Sequence, residues 1–276
     1  MVCPHFYELK WAYGCPYDCA YCYLKGTFRF RLVEGRILPH FKDRRRIRRH
    51  VEAFHRLALE PTLVNTGELC DSLMGEGLRE PFSEFIMPFF VGTRHKLLFL
   101  TKGVGVEHFL EHPEWRENAV LSWSLNAIPV AERWEHLAAP VRERVQAAKK
   151  AFDAGYEVRL RIDPMVPIEG WYHHYTGVVD AVFSRLFPER VTLGSLRGLT
   201  STRNAVKDRS WLQFLCEGSS WGLKPSHKVR YAMYHALSSY LKDAYAYESI
   251  GLCKETLKMW KALRRDWRSN KCNCVL

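Results

Sequence analysis

The chain has 276 residues, 47% of them hydrophobic and 13% aromatic, which is material for one barrel-sized domain with a large core. Its 41 lysines and arginines outnumber 30 aspartates and glutamates, giving a formal charge of +11 and a pI near 9.2 that point to a polyanion as partner. No apolar run reaches the roughly eighteen residues a membrane span needs, and Met1-Val2-Cys3-Pro4-His5 lacks a signal-peptide core. The expectation is a soluble cytoplasmic protein of a bacterial cell without membrane contact. An odd count of nine cysteines then argues for reduced thiols rather than a disulfide framework.

Phe6–Tyr13 predicts a first strand that runs into Gly14-Cys15-Pro16-Tyr17-Asp18-Cys19-Ala20-Tyr21-Cys22-Tyr23. Arg44–Leu59 predicts an amphipathic helix whose start, Lys42-Asp43-Arg44-Arg45-Arg46-Ile47-Arg48-Arg49, is strongly basic. Arg44, Arg45, Arg48 and Arg49 are therefore candidates for phosphate contact, against the plainer reading of a solvated helix face. The apolar run Thr62–Thr66 follows, then a helix near Leu78–Phe89 and a continuous apolar strand, Lys96–Thr101. Val120–Ser124 predicts a strand and Val141–Ala154 a helix closed by Gly155. Val158–Asp163, Tyr172–Phe187 and Arg190–Leu196 repeat the strand–helix–strand alternation. Six buried strands alternating with helices predict an α/β fold, a partial (β/α)6 TIM-type barrel open on one side. After Thr200 the pattern turns helical, at about Arg203–Leu215, His227–Tyr245 and Lys254–Trp267. The chain is thus expected to divide into a barrel core, 1–200, and a C-terminal extension, 201–276, that covers the opening.

Cys15, Cys19 and Cys22 carry the clearest chemistry. Three thiolates on one short loop can hold three irons of a [4Fe–4S] cluster, and the missing fourth ligand leaves one iron open to a small molecule. Zinc could take the same three with Cys3 or His5, but structural zinc sites pair two halves of matched spacing, and no second half stands near the first.

Parallel barrels carry their chemistry on loops leaving the C-terminal ends of strands. The predicted exits are Thr66-Gly67-Glu68, Thr101-Lys102, Ser124-Leu125-Asn126, Asp163-Pro164 and Gly194-Ser195. Thr66, Gly67, Glu68, Lys102, Ser124, Asn126 and Asp163 together suit a zwitterionic nucleoside cofactor. Taken singly, Lys102 reads equally as a solvated side chain and Asp163 as a helix cap.

The Cys-x3-Cys-x2-Cys loop resembles that of the radical S-adenosylmethionine superfamily. Cys15–Leu24, Leu98–Lys102, Ser122–Ala127 and the block Arg161-Ile-Asp-Pro-Met-Val-Pro-Ile-Glu-Gly-Trp171 resemble, more narrowly, the spore photoproduct lyase family. The resemblance covers roughly residues 6 to 200, a barrel-sized stretch. It implies a barrel of the radical S-adenosylmethionine kind, with a [4Fe–4S] cluster and S-adenosylmethionine as cofactors. It also implies cofactor contacts at Lys102 and Ser124, and Tyr21 and Tyr23 beside the cluster assisting hydrogen transfer. Gly67-Glu68 resembles the superfamily's amino-group binder. The family's hydrogen-donating cysteine lies shortly before an aspartate, whereas here the order is Glu68-Leu69-Cys70-Asp71, so Cys70 is either that donor displaced or a small buried hydrophobe. Only fourteen residues precede Cys15, and Cys253, Cys272 and Cys274 have no counterpart in the resemblance. That tail reads as a redox thiol, a metal ligand or a loose end.

The expected function is an enzyme, an isomerase or a lyase, that abstracts hydrogen from a thymine-derived base in DNA. The altered Cys70 region and short N-terminus favour rearrangement of a hypermodified thymine in a DNA-modification pathway, a use of lyase-like enzymes in bacteriophages, so a phage-encoded origin is in view. Thymine-dimer repair is the alternative, and a non-catalytic iron–sulfur DNA-binding protein the rival. Expected partners are DNA and an electron donor such as flavodoxin or ferredoxin.

Overall fold

A computed structural model of the chain describes residues 2–276. Its elements in chain order are β1 (Tyr7–Glu8), α1 (Tyr23–Thr27), α2 (Arg44–Leu57), β2 (Leu63–Asn65), α3 (Phe82–Ile86), β3 (Lys96–Thr101), α4 (Glu107–Glu111), β4 (Ala119–Leu125), α5 (Ile128–Trp134), α6 (Val141–Asp153), β5 (Glu157–Met165), α7 (Trp171–Phe183), β6 (Arg190–Ser195), α8 (Thr200–Ala205), α9 (His227–Tyr245), β7 (Ile250–Leu252) and α10 (Leu257–Ala262). The seven strands are parallel and pair strictly in chain order, with helices in the crossovers. The result is a curled half-barrel, the partial TIM-type barrel expected. No helix among the described residues is long and apolar enough to cross a membrane.

The two faces of the sheet differ by the strand's period of two. Leu121, Trp123 and Leu125 of β4, Val158, Leu160 and Ile162 of β5, and Val191 and Leu193 of β6 join one large apolar cluster with the helices. Alternate positions are polar and buried on the concave side: Ser122 and Ser124, Arg159, Arg161 and Asp163, and Thr192. Every residue of β4 is buried, which explains why such strands read as unbroken apolar runs once small polar groups are allowed.

Four expectations change. The first strand is two short pieces, because Tyr7–Glu8 pairs with β2 while Ala12–Tyr13 pairs with His40–Phe41. The helix drawn over 78–89 begins only after Pro81 and ends in a 3-10 turn, Met87–Phe89. The barrel has a seventh strand, β7, from within the extension, pairing Ile250, Gly251 and Leu252 with Val191, Thr192 and Leu193. The extension also departs from its expected helices. That drawn over 203–215 is only α8, Thr200–Ala205, and a separate 3-10 turn, Ser210–Phe214; a hairpin, Glu217–Ser219 with Gly222–Lys224, follows; and the last helix is only Leu257–Ala262.

The tail fills the concave face. Asn273 is wholly buried; its amide donates to Ser122 Oγ (2.6 Å) and its carbonyl oxygen accepts from Thr192 Oγ1 (2.6 Å). Arg159 donates to the Asn273 and Val275 carbonyls (3.0 and 2.6 Å), and Arg190 to those of Cys272 and Val275 (2.9 and 2.8 Å). Ser122 and Ser124 share a face two residues apart, as do Arg159 and Arg161, so the tail lies one pleat below whatever Ser124 and Arg161 line.

Candidate active site

The loop before α1 is shaped by local geometry. Gly14 has φ +84°, and a Cβ there would collide with the Leu38 carbonyl oxygen. The Cys15 amide donates to Ile37 O (2.9 Å), Asp18–Cys19 pairs antiparallel with Glu135–His136, and the Cys22 amide donates to Cys19 O (3.2 Å). These restraints bring Cys15, Cys19 and Cys22, all free thiols, to the wall of one cavity with Tyr17, Tyr21 and Tyr23.

The strand ends complete that wall. Gly67, Glu68, Cys70 and Asp71 follow β2, Lys102 follows β3, Ser124 lies on β4, and Arg161 and Asp163 lie on β5. Arg197 follows β6 and Lys254 follows β7. Asp163 accepts from Arg197 through both oxygens (2.7 and 2.9 Å). Burial alone would raise its carboxyl, but Arg197 and then Arg161 outweigh it and hold Asp163 well below the ordinary range. A Cβ on Gly194 would overlap the Asp163 carboxylate, so this position requires glycine. Asp71 accepts from the Lys102 amide (2.8 Å), Thr101 Oγ1 (2.7 Å) and the Leu73 amide (3.0 Å), which fixes the turn after β3.

Lys102 Nζ lies 2.9 Å from Glu135 Oε1, and Arg144 Nη1 lies 2.5 Å from Glu135 Oε2. Tyr21 OH also donates to Glu135, and Asn126 Nδ2 does so at 3.2 Å. Burial pushes the Glu135 carboxyl up, but Lys102 and Arg144 reverse this and bring it down to about 2. On the opposite wall Lys254 Nζ lies 3.1 Å from Glu68 Oε1 and 4.3 Å over the Trp221 ring. Glu68 is thus already charge-paired, and Tyr23 OH donates to its backbone carbonyl.

Of the residues singled out from sequence, the three cysteines, Tyr21, Tyr23, Gly67, Glu68, Cys70, Lys102, Ser124 and Asp163 meet at the cavity. Thr66 and Asn126 do not reach its wall. Thr66 Oγ1 bonds Ser72 Oγ (2.9 Å) and Leu98 O (2.8 Å), because alternation turns it away from the face of Asn65 and Gly67. Asn126 is wholly buried behind Tyr21, donating to Tyr21 OH and Pro164 O (both 3.0 Å). Cys70 is buried with its Sγ donating to Thr66 O (3.4 Å), and burial followed by the Asp71 charge pushes its thiol well up. Arg44, Arg45, Arg48 and Arg49 lie on α2, outside the cavity; Arg44 pairs with Glu80 (2.9 Å) and Arg48 lies over the Phe89 ring.

Tyr17, Asp71, Arg197 and Lys254 were not singled out. Asp71 adjoins Cys70 and Arg197 follows a predicted strand, so both had a signal; Lys254 had none. Cys253, Cys272 and Cys274 are buried free thiols below the cavity floor, with Arg161 Nη2 at 3.0 Å from Cys253 Sγ and 4.0 Å from Cys274 Sγ. Among the described residues no group of three or more His, Cys, Asp or Glu is arranged around a single metal ion. Cys15, Cys19 and Cys22 instead line one shared space. Burial pushes their thiols up, while Lys102 opposes this at Cys19 and Cys22, with Arg144 at Cys19 and Lys25 at Cys22. Three such thiols on one wall are a donor set that suits a thiolate-held cluster.

A parallel half-barrel with three cysteines on its first loop and polar or charged groups at its strand ends defines the class of radical S-adenosylmethionine barrels. The spore photoproduct lyase family model matches residues 4–196, and the chain belongs to that family. Members of the family use a [4Fe–4S] cluster and S-adenosylmethionine. The chain is 26% identical over 182 residues to the spore photoproduct lyase of Bacillus subtilis strain 168, covering 63% of this chain and 51% of the relative. The chain therefore spans about half the length of the curated relative it matches. A solved spore photoproduct lyase complexed with dinucleoside spore photoproduct superposes with TM-score 0.74 at 18% identity, over 89% of this chain and 75% of that one. A double mutant of that lyase with bound S-adenosylmethionine and the same dinucleoside superposes at TM-score 0.69 and 17% identity, over 89% and 74%. SuiB of Streptococcus suis superposes at TM-score 0.57 and 10% identity, over 93% of this chain and 50% of that one.

Proposed function

We propose that this protein is a radical S-adenosylmethionine enzyme that acts on a thymine-derived base in DNA and rearranges a modified thymine. The observation that carries the reading is the convergence of three free cysteines and charged strand-end residues on one cavity, in a chain of this family. Cys15, Cys19 and Cys22 would hold the cluster, and Lys102, Ser124, Glu68 and Asp163 would surround S-adenosylmethionine. When bound, this pair supplies a 5′-deoxyadenosyl radical that abstracts a hydrogen atom from substrate. Asp163 with Arg197, and Glu135 with Lys102, set the charge of the walls, while Tyr21 and Tyr23 flank the cysteines. Residues 1–200 carry the chemistry, and residues 201–276 close the barrel and add Lys254. The basic start of α2 offers phosphate contacts, with Arg45 and Arg49 exposed, and flavodoxin or ferredoxin is the proposed electron source.

Rearrangement is supported by the Glu68–Lys254 pair in the wall and by the order Glu68-Leu69-Cys70-Asp71, a charged departure from the family's cysteine. The second reading, cleavage of a thymine dimer, is favoured by the family match itself. Anaerobic incubation with S-adenosylmethionine, dithionite and either modified phage-type DNA or ultraviolet-damaged DNA, followed by nucleoside mass spectrometry, separates the two. An isomer of unchanged mass at a modified thymidine supports rearrangement; release of thymidine from the damaged DNA supports repair. Turnover of neither, with no deuterium passing from DNA into 5′-deoxyadenosine, removes the catalytic reading.

Replacing Cys15, Cys19 and Cys22 together by alanine should abolish the visible iron–sulfur absorption of reconstituted protein and reduce bound iron to background. A triple variant that keeps its absorption would place the cluster elsewhere.

A further inference from the structure

We infer that the open depression between Phe30 and α8 is a docking site for a nucleotide flanking the reacting base. The inference rests on the DNA reading above and adds a second point of contact to it. Beyond α1 the chain makes one 3-10 turn, Arg29–Arg31, and reverses through Glu34 and Gly35, whose φ values are 52° and 89°. Both ends of this loop are tied to the cysteine segment. The Phe28 amide donates to Leu24 O (2.8 Å), the Cys15 amide to Ile37 O (2.9 Å), and Arg36 Nη2 to Pro16 O (2.9 Å). The loop is a fixed projection next to the cavity.

Phe30 on this projection is 87% exposed. One exposed apolar side chain is ordinary; what distinguishes Phe30 is its surroundings. It borders a depression of about 550 Å3, whose near side is Arg29, Phe30 and Leu32 and whose far side carries Thr200, Ser201 and Asn204. An aromatic face, a guanidinium and hydroxyl and amide groups are what a nucleotide requires, for the base plane, the phosphate and the base edge respectively. The Arg29 guanidinium sits 4.4 Å over the Phe30 ring, so cation and stacking surface are presented together. In the facing segments 23–37 and 197–209 the sole carboxylates are Glu34 and Asp208, and Asp208 already accepts from the Ser210 amide (2.8 Å). The surface is cationic, as a phosphodiester requires.

The placement also fits: Tyr23, at the start of α1, lines the cavity, and Phe30 follows on the same segment, one 3-10 turn beyond the end of α1. A base leaving its stack to reach the cavity leaves the strand needing a grip elsewhere, and stacking on an aromatic provides one that tolerates any sequence.

The test is fluorescence anisotropy of reconstituted protein with labelled single-stranded and duplex oligonucleotides across a salt series. Phe30→Ala should weaken binding roughly 5- to 100-fold without changing the log–log salt slope, since stacking releases no counterions. Phe30→Trp should retain affinity, and Arg29→Gln should lower the slope by about 0.7–0.9. Iron content should be unchanged in all three. If the wild type binds DNA and Phe30→Ala binds equally well, the docking site is wrong while the function stands. If the wild type binds no DNA, both fall.

Discussion

Glu255→Ala should lower the melting temperature of the anaerobically reconstituted protein by roughly 6–20 °C, equivalent to about 3–5 kcal/mol. Glu255 is fully buried and lies three residues beyond the end of β7. It accepts from Lys224 Nζ (3.3 Å), Ser195 Oγ (3.1 Å) and Tyr234 OH (3.1 Å), and pairs with Arg230, whose guanidinium also reaches Glu217 (3.0 Å). Removing it leaves Lys224 and Arg230 buried with their central counter-charge gone, which is the costly way to break a buried pair. The same carboxylate gives a pH dependence of definite sign. Burial would raise it, but Lys224 and Arg230 outweigh burial and hold it below its ordinary 4.5. Its contribution is therefore present above pH 4.5 and is lost as pH falls through the lower folded-state value. Burial brings Lys224 down to about 8, so it still carries its charge at pH 7. Glu255→Gln should flatten the acid limb of a stability–pH curve. A variant within about 1 kcal/mol of wild type and with an unaltered acid limb would show that this cluster does not hold the extension to the barrel.

Glu135→Ala should cost a similar 3–5 kcal/mol, because Arg144 would then be a buried cation with only carbonyl partners, Ser124 O (3.0 Å) and Ala139 O (2.6 Å). Pairing Glu135→Leu with Arg144→Met should recover most of that loss, since an apolar pair of similar volume removes both desolvation costs. Lys102 gives a second readout. Freed from Glu135, it changes the charge presented to the cavity, so the double variant should regain stability but not wild-type affinity for S-adenosylmethionine. Recovery of both by the double variant would make Glu135 a packing element with no bearing on the site.

The three cysteines, their tyrosine neighbours and the strand–helix alternation were readable because each is encoded within a few consecutive residues. Lys96–Thr101 is a strand wherever it is buried, and Cys-x3-Cys-x2-Cys stays on one loop whatever surrounds it. Side-chain direction was also encoded, in the alternation that turns Thr66 away from Gly67, but it becomes usable only once the strand's ends are known. What the sequence determined by itself was the local chemistry: a cluster-type loop, a parallel α/β order and a cationic surface. Only the tertiary structure decided what completes the barrel and the cavity. Ile250-Gly251-Leu252 is too short and too plain to read as a strand, and becomes one because Val191–Leu193 offers it an open edge. Asn273 and Lys254 gain their positions from partners more than 80 residues away, Thr192 and Glu68. Such contacts leave no periodic trace in the chain, since they are selected by the shape and the unpaired polar groups of a sheet that exists only after folding.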